Sequence, residues 1–234
     1  MRKFLVAATA ALLAAVPANA VIVSGVLTGG NIVTNGGSFQ VTNLAHIQVN
    51  QVNSTNVLGI NERQKVTLGA AQRVINKDLA SGTTIANTLA AIAPLSTLIA
   101  AGTTVNSHLI ILDPAGIQSR NATGSVTFNG RILGIILHDT GRAGANFVST
   151  NGIFGAQGTT YGTLHSGLDG APDAYSIGGA GNKTLTFTVS STALAGDYVR
   201  VITAVPEPRS WAMILTGFGM VGFGLRRRRT AVAA

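Results

Sequence analysis

Apolar and polar residues alternate with a period of two along much of the chain, which is the pattern of half-buried β-strands. The clearest case is a run in which Leu185, Phe187 and Val189 alternate with three threonines. This spacing predicts a strand that buries the large apolar side chains and turns the threonines toward solvent.

A second strand is predicted over residues 125–128, and it ends at Asn129-Gly130. This dipeptide is a strong signal for the tight turn of a β-hairpin. The more continuously apolar residues 131–137 follow at once, so the sequence predicts that they pair with the preceding strand. Further strands are predicted at residues 21–27, 38–41, 46–49, 64–68, 108–112 and 197–203.

Helix signals are scarce in the body of the chain. Residues 83–93 carry alanines and leucines in a loose helical spacing, and Pro94 limits that segment. Residues 152–181 are rich in glycine and predict loops with weak strands. Short strands, frequent turns and little helix predict a mainly β fold, an antiparallel β-sandwich or jelly roll formed by residues 21–204.

The first 20 residues have the three parts of a secretory signal peptide. Arg2 and Lys3 form a positive region, residues 4–16 are apolar but too short to span a membrane, and Ala18-Asn19-Ala20 is a small-x-small cleavage site. The sequence predicts export by the Sec machinery and a signal helix that signal peptidase removes before Val21. An uncleaved anchor is the alternative.

Residues 205–234 form a second terminal segment with its own order of features. Pro206-Glu207-Pro208 is followed by Trp211-Ala212, an uncharged run to residue 225, and four arginines, Arg226, Arg227, Arg228 and Arg229. The 15 residues of that run would make a helix of about 22 Å, short for a bilayer core of about 30 Å. Trp211 and the arginines can anchor its ends, and the arginines should stay in the cytoplasm.

This order resembles the PEP-CTERM sorting signal, in its PEPxxWA variant. The resemblance implies cleavage near Pro206–Pro208 by an exosortase, a membrane protease-transpeptidase of Gram-negative bacteria that make exopolysaccharide. It also implies a precursor tethered to the inner membrane with its body in the periplasm, and a mature form at the cell surface or secreted. A plain C-terminal membrane anchor is the alternative, and exopolysaccharide is a further candidate partner, with a role in biofilm.

Four blocks of the body are similar to a group of bacterial PEP-CTERM-tailed proteins that has no assigned activity. They are residues 56–64, residues 101–108 with Asp113-Pro114, residues 126–128 with 133–136, and residues 196–201. The likeness implies a single exported domain and adds no chemistry.

Charge and composition narrow the function classes. The formal net charge is +8, but the two ends carry seven of the 16 basic residues and one of the eight acidic ones. The body is therefore close to neutral, and no nucleic-acid partner is predicted. With no cysteine, the chain has no thiol nucleophile, disulfide or thiolate metal site. The one tryptophan is Trp211, so the body has no tryptophan platform for stacking on sugar rings.

The four histidines, His46, His108, His138 and His165, show no metal-binding spacing. His138-Asp139 and His108 with Asp113 would form an acid–base or metal cluster only if the strands bring them together. Otherwise they are strand-end histidines beside turn aspartates.

The segment from Asp169 to Asp173 could lend oxygens to calcium, but it lacks a dense acidic pattern and is also typical of a plain turn. The sequence predicts no catalytic residue, no metal site and no cofactor.

Three hypotheses follow. The first is a non-enzymatic envelope or extracellular-matrix protein that an exosortase processes. The second is a secreted β-sandwich hydrolase or lyase, and the third is a calcium-stabilised adhesion module.

Overall fold

The computed structural model describes residues 19–80, 93–115, 119–137, 147–162, 164, 172–191 and 196–206. All of them belong to one compact unit, Asn19–Pro206. Among these residues the fold is mainly β, as the alternating pattern predicts, and no helix is long and apolar enough to cross a membrane. The proposed signal helix and the terminal helix lie outside the described residues, as does nearly all of the proposed helix at residues 83–93.

A four-stranded antiparallel sheet forms one layer. Its strands, in their order across the sheet, are β1 (Ile22–Gly29), β9 (Arg120–Phe128), β13 (Thr184–Ser191) and β12 (Ala174–Gly178). In β13 the burial alternates as expected, with Leu185, Phe187 and Val189 inside and Thr186 exposed. The strand predicted at residues 184–189 is confirmed.

An eight-stranded sheet forms the second layer. Its eight strands are β2 (Phe39–Val41), β4 (Val57–Asn61), β5 (Val66–Thr67), β6 (Gln72–Ile75), β7 (Ser96–Ile99), β8 (Thr104–Leu112), β10 (Ile132–Ile136) and β14 (Asp197–Ala204). Seven of them run in the order β2-β4-β8-β14-β10-β6-β7, and β5 also pairs with β8. All its pairs are antiparallel except β2 with β4.

The predicted hairpin at Asn129-Gly130 is wrong. β9 pairs with β1 and β13, whereas β10 pairs with β14 and β6 in the other sheet. The turn therefore carries the chain from one sheet to the other. Gly130 is needed there because a side chain would collide with the carbonyl of Ala204 and lie 2.8 Å from the Ala20 methyl. The alternating pattern sets which side chains are buried, but it does not choose the neighbouring strand.

The main core lies between the two sheets. It joins Val126, Phe128 and Phe187 of the smaller sheet to Ile110 and Val201 of the larger one. The larger sheet is buried on its other face as well, and its central strand β8 is almost wholly inside. Two-sided burial explains why residues 109–112 form a continuous apolar run.

A short irregular layer covers that second face. It contains the helix α2 (Phe147–Phe154) and a two-stranded parallel pair, β3 (His46–Ile47) with β11 (Thr160–Tyr161). A one-turn helix, α1 (Asn31–Thr34), lies beside β1 and β9. Phe147 and Phe154 pack into a second apolar cluster with Leu109, Ile111 and Tyr198. Residues 152–154 are helical, so the expected loop begins later than predicted, although β11 and β12 are the weak strands expected there.

Candidate functional site

A buried ion pair lies between the larger sheet and the irregular layer. Arg200 of β14 donates to Glu62 through Nε, 2.7 Å from Oε2, and through Nη2, 2.8 Å from Oε1. Neither side chain is exposed to solvent. This two-pronged geometry matches a planar guanidinium to a carboxylate and gives strong, charge-assisted hydrogen bonds.

Neighbouring elements complete the pair. Helix α2 supplies Thr150 and Asn151, whose oxygens accept from Arg200 at 3.0 and 2.8 Å. The Ser107 hydroxyl of β8 and the Tyr161 hydroxyl of β11 donate to Glu62 at 2.6 and 2.8 Å. We call these six residues the Arg200 centre. Burial, the Glu62 charge and the hydrogen bond to Glu62 raise the pKa of Tyr161, so its hydroxyl stays a donor.

Sequence reasoning missed the Arg200 centre, although one signal for it was present. Tyr198, Arg200 and Ile202 fall on one side of β14 by the period of two, and the outer two are buried apolar residues. A lone arginine on such a face requires a buried partner. The identity of that partner was out of reach, because Glu62 lies 138 residues earlier in the chain.

A polar cleft of about 600 Å³ opens beside the centre. Arg63 and Lys65 make it cationic, and the Arg63 guanidinium donates to the carbonyls of Gly152 and Ile153 at 3.3 and 3.5 Å. The Gln64 Oε1 atom is buried and has no hydrogen-bond partner among the described residues. The lining residues are Glu62, Arg63, Gln64, Lys65, Val66, Thr67, Gly69, Gly152, Ile153 and Gln157. They can bind polar or anionic groups, but none is a histidine, serine or cysteine that could serve as base or nucleophile.

His108 occupies a different place, in the core between the two sheets. Its Nδ1 lies 2.9 Å from Asn61 Oδ1 and its Nε2 lies 3.1 Å from Thr203 Oγ1. The ring packs on Phe128 at 4.8 Å. Asn61 Oδ1 also accepts the backbone N–H of Ile22, which fixes the amide orientation. Nδ1 therefore carries the proton, and Nε2 accepts from Thr203.

Burial lowers the pKa of His108 to about 3, so the ring is neutral near pH 7. Both of its nitrogens are already bonded to protein groups, and it is fully buried. We call His108, Asn61 and Thr203 the His108 centre. Its geometry is that of a core histidine and offers no free nitrogen for a proton transfer or a metal.

The Asp113 carboxylate does not contact His108 in the folded chain. It instead accepts the backbone N–H groups of Asn50 and Val52 at 3.1 and 3.0 Å, and the Tyr198 hydroxyl at 3.1 Å. It therefore holds the 50–54 loop against the end of β8. The suggested His108–Asp113 pair is wrong, since five residues along a strand separate two side chains by about 16 Å and place them on opposite faces.

The other proposed site residues are only partly covered by the described chain. His138, Asp139, His165 and Asp169 lie outside it. His46 is an exposed residue of β3, and Asp173 is buried next to β12. No group of three His, Asp or Glu side chains able to hold a metal occurs among the residues that the structure describes.

The three tyrosines of the body do not form a sugar-stacking platform. Their hydroxyls bond to Glu62, to the carbonyl of Lys77 and to Asp113, for Tyr161, Tyr175 and Tyr198 respectively. Tyr175 and Tyr198 are buried, and burial raises the pKa of each.

The end of β14 leads directly into the C-terminal segment. Ala204 is the last strand residue, and Val205 and Pro206 are half-exposed. Residues 204–229 match the PEP-CTERM protein-sorting motif. This motif marks an exported protein that an exosortase processes at the membrane. The motif residues Glu207, Pro208, Trp211, Ala212 and Arg226–Arg229 lie outside the described chain. No curated protein and no solved structure matches this chain.

Proposed function

We propose that this chain is a non-enzymatic protein of the bacterial cell envelope or extracellular matrix. Signal peptidase removes its leader after Sec export, and the precursor is held at the inner membrane with its body in the periplasm. An exosortase then cuts near Pro206–Pro208, and the body is retained at the surface or released into exopolysaccharide. The sorting motif at residues 204–229 is the observation that carries this proposal.

The way the body uses its polar groups supports a structural role. Glu62 and Arg200 are bonded to each other, His108 is enclosed, and Asp113 holds a loop. These groups stabilise the fold, and the carboxylate of Glu62, which also lines the polar cleft, is bonded to Arg200, Ser107 and Tyr161. None of the described residues that line the cleft is a histidine, serine or cysteine.

The uncharged, hydroxyl-rich outer face of the four-stranded sheet also supports a structural role. Thr184 and Thr188 of β13 lie opposite Thr127 and Thr123 of β9, with hydroxyl oxygens 3.2 and 3.3 Å apart. Thr186 lies between them, opposite Ser125. These neighbouring positions carry no charge, and their hydroxyls suit a hydrated, neutral surrounding such as a polysaccharide matrix.

A matched pair of tail variants tests the proposal. Glu207→Ala removes a motif residue, whereas Ser210→Ala changes one of the two variable positions between Pro208 and Trp211. In a bacterial host with an exosortase, we expect the first to remain in the membrane fraction with Ala234 attached. The second should lose its tail as the unmodified chain does. Release of both variants with equal tail cleavage would contradict the proposal, as would an extracellular chain that still ends at Ala234.

A further inference from the structure

Two residues that precede Val21 are built into the folded body. The Ala20 side chain is fully buried. The Asn129 Nδ2 group donates to the carbonyl of Asn19 at 2.9 Å, while Asn129 Oδ1 accepts the N–H of Val21 at 2.7 Å. One side chain thus binds the backbone on both sides of Ala20.

Ala20 also fills a specific place in the packing. It lies against Gly130, where the chain crosses from one sheet to the other, and near Thr203 and Ala204 at the end of β14. A cut after Ala20 would leave this space empty and would remove the carbonyl that Asn129 Nδ2 contacts. The compact unit accordingly begins at Asn19.

The sequence offers a second cleavage site two residues earlier. Val16-Pro17-Ala18 places alanine directly before the Ala18–Asn19 bond and a compact, uncharged residue at the third position before it. Ala18 is the small residue that signal peptidase requires directly before the bond, and Val16 is larger than the alanine of an A-x-A site but is short and uncharged.

We propose that signal peptidase cuts the Ala18–Asn19 bond, so that the mature protein begins Asn19-Ala20-Val21. In this hydrolysis, water supplies the hydroxyl of the new Ala18 carboxyl group and a proton to the departing Asn19 amine. The inference rests on the proposed function, because only an exported chain loses its leader.

The first test is the N-terminal peptide of the exported full chain, identified by mass spectrometry. A peptide beginning at Asn19 is expected. One beginning at Val21, or anywhere else after export, overturns the inference and leaves export intact. A secreted or envelope-bound chain that still begins at Met1 overturns the inference and the proposed leader removal together.

Two proline variants provide a second test that does not depend on the final fold, because pulse labelling follows the loss of the leader directly. Proline just after a scissile bond removes the N–H and changes the backbone that the peptidase binds. Asn19→Pro should slow leader removal at least tenfold, whereas Val21→Pro should leave it within twofold of the unmodified chain. The reverse pattern would place the cut after Ala20 and overturn the inference.

Discussion

The Arg200 centre and the His108 centre lie on opposite faces of the same sheet and are built from neighbouring residues. Asn61 and Glu62 are adjacent in sequence, as are Ser107 and His108. Because successive strand residues point to opposite faces, one member of each pair enters the sandwich core and the other faces α2. Strands β8 and β14 thus supply residues to both centres, as do the last residue of β4 and the residue that follows it.

The two centres offset the free-energy cost of burying polar groups in different ways. In the Arg200 centre, the guanidinium of Arg200 and the carboxylate of Glu62 are bonded to each other, and four further polar side chains bond to one or the other. The His108 centre avoids charge altogether, because burial keeps the ring neutral. In both centres the buried polar side chains are bonded to one another, and the difference in charge yields predictions that separate charged from neutral burial.

The largest expected effect comes from breaking the ion pair. Glu62→Gln leaves the Arg200 charge buried without its partner, and it should lower the free energy of unfolding by about 3–5 kcal/mol. Denaturant unfolding of the folded body measures it. The double variant Glu62→Leu with Arg200→Leu removes both charges and should lose less. A larger loss in the double variant than in the single one would show that charge burial is not the governing cost.

The second effect is the pH dependence of the His108 centre. The folded pKa of about 3 lies below the usual value of 6.5, so the unfolded chain binds the proton more readily. The free energy of unfolding therefore keeps its full value with respect to His108 above pH 6.5, and it decreases as the pH falls toward 3. At pH 5 the loss should be about 2 kcal/mol, from a slope of about 1.4 kcal/mol per pH unit.

Unfolding curves of the unmodified chain and of His108→Leu between pH 7 and pH 5 check this. The free energy of unfolding of the variant should lack the pH dependence that His108 contributes, while the carboxylates contribute to the pH dependence of both chains. Identical slopes would mean that His108 is protonated equally in the folded and unfolded chains.

A matched pair of threonine variants compares single hydrogen bonds in the two centres. Thr150→Val removes an acceptor of the Arg200 guanidinium and should cost about 1.5–3 kcal/mol. Thr203→Val removes a neutral donor to His108 and should cost about 0.5–1.5 kcal/mol. Thermal and denaturant unfolding rank the two, and an inverted order would contradict the distinction between charged and neutral burial.

The smallest effect should come from the exposed cleft. Arg63→Gln removes only long hydrogen bonds to Gly152 and Ile153 at the surface, so the free energy of unfolding should change by about 0.5 kcal/mol or less. The same unfolding assay applies. A loss as large as that of Glu62→Gln would make Arg63 part of the Arg200 centre.

The sequence predicted local structure better than it predicted partners. The period of two correctly predicted β13, and residues 108–112 were correctly predicted to form a central strand, because both patterns follow from burial alone. The hairpin failed because Asn129-Gly130 serves a crossover between sheets, which depends on contacts with Ala20 and Ala204 from distant parts of the chain.

The helix α2 was missed for a related reason. Its sequence contains Ser149, Thr150, Asn151 and Gly152, which are weak helix formers, so nothing local favours a helix. Contacts with Arg200 and the burial of Phe147 and Phe154 stabilise it instead. The sorting motif, by contrast, depends on order within one short segment and could be predicted from the sequence.

The most direct test of the whole account is the intact mass of the protein recovered from the cell surface or the medium of a bacterium with an exosortase. The expected species is a chain that has lost both its leader and the segment beyond the Pro206–Pro208 region. A chain of full mass, still carrying Met1 and Ala234, would contradict the account.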